Sequence, residues 1–425
     1  MKKLSVFLLA ICTCITGVLF TGCNQNNPPD DKPGQNPNLI PTMPAVQSEG
    51  LSYELNEDGT SYMMTGCGTC NDANIRIADE YLGLPVTKIS DSAFNMHPLP
   101  YFVSITLGKN IEEIDDWAFN NLPSEHFATF YVPEENTEFT TIDNTLYTKD
   151  VSRLIRYAPA QTESSFIIPA TVTEIEKFAF NGNVLTNITI PEGVTTIGYH
   201  AFLNSKNLTT LSIPKSVTSI DGRISMYSSV KEICVAEDNA TYKSIDGVLY
   251  SKDGTTLLDY PCGKENLSFE IPSSVTTIAD GAFEYNEKIT SVTFGTGVVT
   301  IGNTAFNYCS SLSAVVFPQG WSCLIESIGY SAFSNTALTS IELPWNVDVL
   351  KNFTFADCAH LTSVKLTLNL EEIGNSVFSN CDKLTNIDFE GSKIDWTGIE
   401  KDGEWLANSN ITKITCNDGD ILLQD

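Results

Sequence analysis

The chain is predicted to fold as one elongated solenoid. Three features say so: a recurring template, its constant spacing, and the placement of apolar residues within it. Val194–Pro214 reads VTTIGYHAFLNSKNLTTLSIP, and Val275–Phe294, Val298–Pro318 and Val347–Leu366 are variants of it. The template is V-x-x-I, a small residue and Phe, then L-x-x-I-x-I/L/F, often closed by Pro. Phenylalanines of uninterrupted neighbours give the period: 202 − 180 = 22, 306 − 283 = 23, 355 − 333 = 22, 378 − 355 = 23. A period in this range belongs to stacked coils of leucine-rich-repeat type.

Each part of the template has a physical role. In Leu208-Thr-Thr-Leu211-Ser-Ile213 the last two apolar residues alternate with a polar one, so they share one face of a strand. So short a strand needs the same strand of the next coil as its partner, and the copies build a parallel sheet. Pro191, Pro214, Pro272 and Pro344 end these strands, because proline has no N–H to donate. V-x-x-I makes the return side. The Ala-Phe segment reads as a short helical or turn segment that inserts Phe between the walls. The expected fold is thus a leucine-rich-repeat solenoid of right-handed α/β type: a parallel β-sheet on one face, short strands and helical turns on the return side, and two β-hairpin insertions. Phe94, Phe119, Phe180, Phe202, Phe283, Phe306, Phe333, Phe355 and Phe378 form its spine. Three residues after most of them stands a small polar or thiol residue (Asn183, Ser205, Asn286, Cys309, Thr336, Cys358, Cys381). That offset suits a buried rung bonding backbone groups better than a reactive thiol.

These repeats resemble the BspA-like leucine-rich repeats of bacterial surface proteins, from about Leu51 to the C-terminus. The resemblance implies attachment and protein–protein contact, and brings no catalytic residues with it.

Taken in order, Met1–Cys23 reads as a targeting segment. Lys2 and Lys3 precede an apolar run, Leu4–Phe20, that is short for a spanning helix. Its end, Leu19-Phe20-Thr21-Gly22-Cys23, resembles a bacterial lipobox, although Phe20 stands where Leu is usual. Residues 1–22 are therefore expected to be a lipoprotein signal peptide, with Cys23 acylated and holding the protein to a membrane by lipid alone. Residues 23–46 are rich in Asn, Pro and Asp and read as a disordered tether. Residues 47–425 are the solenoid. Its N-terminal cap is expected at about 51–84, where Cys67-Gly-Thr-Cys70 is better read as packing than as a metal or redox site, since no second ligand pair accompanies it.

The period breaks twice, and the breaks resemble each other. Glu134–Tyr157 reads EENTEFTTIDNTLYTKDVSRLIRY and Glu237–Tyr260 reads EDNATYKSIDGVLYSKDGTTLLDY. Asp-Gly at 246–247 and 253–254 marks tight turns, so hairpin modules are placed at about 134–165 and 237–269. The coil from Val217 carries Ile224-Ser225 in place of Ala-Phe. Between Pro318 and Ile325 the array is about four residues longer than elsewhere, with Trp321 in the extra stretch. A C-terminal cap is expected at about 394–425, with Trp396, Trp405 and Leu406 over the last layer.

Composition narrows the function. The 425 residues carry a net charge of −28, and losing Met1–Gly22 with its two lysines makes this −28 − 2 = −30. Such a surface disfavours nucleic acid and anionic lipid. Of 12 cysteines, Cys12, Cys14 and Cys23 belong to the targeting segment, leaving nine, an odd number that does not indicate a dense disulfide framework. There is no G-x-S-x-G, H-E-x-x-H or P-loop, and His97, His126, His200 and His360 fall at unrelated offsets. No enzyme activity, cofactor or metal is expected.

The candidate contact surface is the outer side of the parallel sheet. One column is Ser104, Thr129, Asn187, Thr210, Ser291, Ser340, Ser363 and Asn386; the next is Thr106, Tyr131, Thr189, Ser212, Thr293, Val316, Glu342, Lys365 and Asp388. Trp345 follows a strand-ending proline, as Glu192 and Lys215 do, and is expected at the surface beside Trp321. The ligand-binding candidates are Trp321, Trp345, Glu342, Lys365, Asp388 and Tyr131. The leading expectation is a non-catalytic adhesion or protein-binding lipoprotein of the bacterial cell surface or outer membrane, anchored at Cys23 and meeting an extracellular protein such as a host matrix component. A second is a glycan-binding lipoprotein that stacks sugars on Trp321 and Trp345; a third is a passive structural component of the surface.

Overall fold

In a computed structural model the described residues are 46–91, 93–94, 103–122, 126–161 and 163–423. The signal peptide, Cys23 and nearly all of the tether lie outside them. Two strands recur in each regular coil. The outer one comes from L-x-x-I-x-I, for example Ser291–Thr293, Ser340–Glu342, Ser363–Leu366 and Asn386–Phe389. It pairs in parallel with its copy in the next coil, as in Ser340↔Ser363 and Glu342↔Lys365. The return strand is a two-residue piece of V-x-x-I, and these too stack in parallel: Glu174–Ile175, Thr196–Ile197 and Ser219–Ile220 follow one another, as do Thr277–Ile278, Thr300–Ile301 and Ser327–Ile328. The core lies between the two sheets.

The Ala-Phe segments correct the α/β expectation. They are turns, and among the described residues the one α-helix is Lys393–Gly398 in the last coils. The reason is local. The residues two before and two after the Phe both take left-handed dihedrals, as in Thr304 (φ 49°) and Tyr308 (φ 56°), Ser331 (52°) and Asn335 (57°), or Phe353 (60°) and Asp357 (59°). A right-handed helix cannot pass through such residues. Alternate amides of the segment bond the next coil, Thr304 N donating to Tyr330 O at 2.8 Å, Phe306 N to Ala332 O at 2.8 Å and Tyr308 N to Ser334 O at 3.0 Å, while Asn307 N and Cys309 N close single turns on Thr304 O and Phe306 O. The fold is a β-solenoid.

The phenylalanines stack as a spine. Phe283, Phe306, Phe333, Phe355 and Phe378 follow one another at 4.7, 5.1, 5.7 and 5.8 Å between centroids. Two tyrosines complete it where the modules lack Ala-Phe. Tyr157 stacks on Phe180 at 5.5 Å, and Tyr260 on Phe283 at 4.7 Å. Both stand 23 residues before the next ring, 180 − 157 and 283 − 260. The small residues after Phe are rungs between coils: Cys309 Sγ donates to Phe283 O, Cys358 Sγ to Phe333 O and Cys381 Sγ to Phe355 O, at 3.1–3.2 Å. Burial raises the Cys309 thiol far above its ordinary range. Cys67 and Cys70 are buried free thiols, and burial, with Cys70 beside it, pushes Cys67 up to about 12.

Each interruption is a three-stranded meander. Phe139–Ile142 and Thr145–Thr148 are antiparallel, and Arg153–Arg156 pairs back on the second and forward, in parallel, on Glu174–Ile175. Tyr242–Ile245, Val248–Ser251 and Thr256–Asp259 repeat this. The first turns, Asp143-Asn144 and Asp246-Gly247, have two consecutive positive φ values, the geometry that matches hairpin twist. Asn136 and Asn239 fasten the modules alike: the Asn136 amide donates to Gly108 O and Ile111 O, the Asn239 amide to Pro214 O and Val217 O.

The modules differ at one buried position. Asp259, 0% exposed, accepts from Arg223 Nε, Ile224 N, Ser225 N and Ser225 Oγ at 2.7–3.0 Å, and so builds the coil that lacks Ala-Phe. Its counterpart Arg156 is just as buried but reaches forward, donating to Phe178 O and to Asn181 O.

At the start, Ser52–Leu55 and Tyr62–Gly66 form an antiparallel hairpin whose second strand pairs in parallel with Leu84–Ile89. At the end, Lys413–Cys416 pairs with Asn386–Phe389 and then with antiparallel Gly419–Leu422, while Trp396 and Trp405 are buried edge to face. No described helix is long and apolar enough to cross a membrane.

Candidate functional site: a tryptophan notch at a break in the outer sheet

The outer ladder is interrupted after Thr129–Tyr131, after Asn187–Thr189, after Glu232–Val235 and after Ala314–Val316. At the first and third a hairpin module intervenes; at the second the spacing is the regular one, 210 − 187 = 23; at the fourth there is a short insertion. Strand starts show its size: 340 − 314 = 26 residues, against 314 − 291 = 23 and 363 − 340 = 23. The extra residues form one 3-10 turn, Gly320–Ser322, entered through Gln319 in extended conformation. Gly320 has a φ of 57°, which a glycine takes without steric cost. The turn lifts Trp321 off the body, leaving it 86% exposed.

Trp321 meets Trp345 edge to face, centroids 4.8 Å apart at 70°. Trp345 itself is half-buried and packs on the core, contrary to the open placement its post-proline position implied. Its Nε1 is shut off from solvent with no hydrogen-bond partner among the described residues. The two indoles border a cavity of about 260 Å³ lined also by Pro318, Pro344, Thr367, Glu342 and Glu390. Thr367 stands in the column where Pro318 and Pro344 precede it; it is 4% exposed, and its Oγ1 also lacks a partner. Lys365 bridges Glu342 and Glu390 at 2.7 Å each, and the two carboxylates raise its pKa. Three acids and bases thus leave one net negative charge at the rim.

The sequence candidates divide. Trp321, Trp345, Glu342 and Lys365 come together here. Asp388 lies opposite Lys365 in register and accepts from Asn386 Nδ2 at 2.8 Å. Tyr131 belongs to a separate three-stranded sheet near the other end; it is half-buried and its hydroxyl has no partner among the described residues. Thr367 and Glu390 escaped the sequence reading, though the proline column pointed to Thr367. The hydroxyl columns are not uniformly open either. Ser104, Thr106 and Thr129 are buried, Thr129 Oγ1 donating to Asn144 of the first hairpin turn at 2.9 Å. Thr189, Ser212, Thr293 and Ser363 are exposed.

Other polar clusters are closed on themselves. The cavity of about 160 Å³ beside the first module is bordered by Asp116, Arg153, Glu176 and Lys177, which pair as Lys177–Asp116 at 2.6 Å and Arg153–Glu176. No group of three His, Cys, Asp or Glu among the described residues is placed to hold a metal ion.

A family model described as a BspA type leucine rich repeat region, in six copies, matches residues 69–152, 157–250, 262–324, 276–399 and 326–419. Among solved structures, a leucine rich cell surface protein of Faecalibacterium prausnitzii A2-165 is 25% identical with a TM-score of 0.57, over 85% of this chain and 99% of that one. A leucine-rich repeat protein of Eubacterium ventriosum is 20% identical, TM-score 0.55, over 88% and 98%. The pneumococcal vaccine antigen PcpA is 20% identical, TM-score 0.53, over 86% and 97%. No curated protein matches.

Proposed function

Because the chain belongs to the BspA-type leucine-rich-repeat family, we propose that it is a surface-displayed adhesion protein that works by contact and catalyses no reaction. Its partner is an extracellular protein such as a host matrix component, held on the outer sheet around the break after Ala314–Val316. One observation carries this: Trp321 is 86% exposed on a turn that exists only because the repeat was lengthened there. Exposed tryptophans backed by a packed rim are the anchors that dominate interfaces. The similarity to a cell surface protein supports display outside the cell. In this reading Cys23 carries the lipid and residues 24–46 space the solenoid from the membrane.

The test has two parts. Full-length protein is passed over immobilised matrix proteins, with Trp321→Ala beside it; saturable binding that falls about tenfold or more in the variant is expected for an anchor residue. Cells expressing the gene are fed a clickable fatty acid; label should enter the wild type and be absent from Cys23→Ala. Failure of every matrix protein to bind, or equal binding by both forms, refutes the contact reading; label retained by Cys23→Ala refutes the anchor.

A further inference from the structure

We propose that the notch between Trp321 and Trp345 is a glycan subsite that takes one ring of a neutral sugar. This rests on reading this face as the contact surface and names the chemistry it contacts. The argument is one of complementarity. The site offers an exposed indole at Trp321, suited to an apolar ring face. It offers carboxylate acceptors at Glu342 and Glu390. It also holds a donor and a hydroxyl with nothing to bond, Trp345 Nε1 and Thr367 Oγ1. Buried polar groups without partners cost free energy, and a ligand that pairs them recovers it. These two are covered in the structure. The proposal therefore requires the lining to move outward to admit the ring, and within that lining the Gly320–Ser322 turn has no buried residue to hold it.

Few ligand classes answer all of this. A quaternary ammonium ion suits indoles and carboxylates but has nothing to accept from Trp345 Nε1. A proline-rich peptide suits the aromatic and proline walls, and its carbonyls accept, but prolines give the carboxylates no donor. An acidic sugar meets Glu342 and Glu390 with only Lys365 between them, in a chain of net charge −28. A neutral pyranose has one face of C–H groups and a rim of hydroxyls that both donate and accept. The cavity, about 260 Å³, falls just below the range of roughly 300–1,000 Å³ usual for drug-sized ligands, which suits a single ring. Longer glycans would leave it along the strand-exit rim.

The experiment uses full-length protein on an array of neutral and acidic oligosaccharides, followed by fluorescence titration with the strongest neutral binder. Trp321 is one of five tryptophans and highly exposed, so binding should shift emission to the blue. Trp321→Ala should lose binding at least about tenfold. Thr367→Val keeps the shape and removes the hydroxyl; it should weaken binding several-fold with an unchanged melting temperature. An array with no neutral ligand, binding that survives both substitutions, or saturable binding of a proline decapeptide or tetramethylammonium in preference to sugar overturns the proposal. Enzymatic deglycosylation of the matrix protein separates this from the wider reading. If Trp321-dependent binding survives deglycosylation, the adhesion function stands and the sugar subsite falls.

Discussion

Replacing Asp259 with asparagine changes one charge and almost no volume, at a place where charge organises a whole coil. The carboxylate is fully buried and faces Arg223, itself 3% exposed, at 3.0 Å. In Asp259→Asn an amide oxygen still accepts from Ile224 N and Ser225 N, so the backbone is largely served. The guanidinium is left with Tyr260 O and Cys262 Sγ as its bonded acceptors and Glu284 as the remaining nearby carboxylate. Removing one partner of a buried pair costs on the order of 3–5 kcal/mol. Because coils contact only their neighbours, the loss should be local. Urea denaturation should show the cost, and hydrogen exchange should place it at residues 221–236 and the adjoining 256–262. The double variant Arg223→Met/Asp259→Leu separates the two roles. It removes both charges, which is often near neutral, but strands Ile224 N, Ser225 N and Ser225 Oγ at roughly 1–3 kcal/mol each. Exchange at Ile224 and Ser225 should stay fast in it. A change under about 1 kcal/mol for Asp259→Asn would refute the view that an ion pair substitutes for the missing Phe.

Phe306→Ala should cost about 3–5 kcal/mol for the cavity, and more than Phe378→Ala, because Phe306 is stacked on rings on both sides; ranked melting temperatures check this. His200 gives a pH signature. Burial, then the charge of Arg223, lower its pKa to about 4, whereas in the unfolded chain it is near 6.5. Between those values the unfolded state binds more protons, so the His200 contribution is intact above about pH 6.5 and declines toward pH 4, by roughly 3 kcal/mol at most. The stability difference between wild type and His200→Phe should follow that curve; phenylalanine is a fair replacement because Phe178 and Phe353 hold the same left-handed position. In thiol labelling with peptide mapping, Cys234, the exposed cysteine among the described residues, should react before Cys309, Cys358 and Cys381; equal rates would contradict the rung geometry.

What could be read in advance follows from what the repeat makes irreplaceable. A ring of fixed volume must fill every coil, so the Phe column and the two strand positions stood out. Tyr157 and Tyr260 fill it equally well, and their 23-residue offsets were on view, but turn signals in the modules drew attention from them. The helical reading of Ala-Phe failed because local preference was outvoted: Thr304, Phe178 and Phe353 are poor left-handed formers held there by stacked neighbours, although Asn204, Asn335, Asp357 and Asn380 gave the sign. Contacts made at long range had no such sign. Nothing in the chain near Thr129 announces Asn144, and nothing near Ile224-Ser225 announces Asp259.

The same logic bears on where function resides. Within an unbroken ladder each outer side chain is flanked above and below by its own column, and short hydroxyls such as Thr189 and Ser212 project too little to grip a partner. Depth requires that two successive strands fail to pair. The modules create such gaps but fill them at once, with Ile233 N bonded to Gly247 O at 2.9 Å and Thr129 to Asn144. Among the described residues two gaps are filled by no strand: the one after Asn187–Thr189, at regular spacing, and the one after Ala314–Val316, which alone carries extra residues and with them Trp321. A gap that also holds an insertion is where the exposed tryptophan, the unpaired indole N–H and the two carboxylates meet, and shortening 319–322 to the regular spacing should remove Trp321 and abolish binding while leaving the solenoid folded. Loss of folding in that deletion, or binding that persists in it, would show that the insertion is not what makes the site.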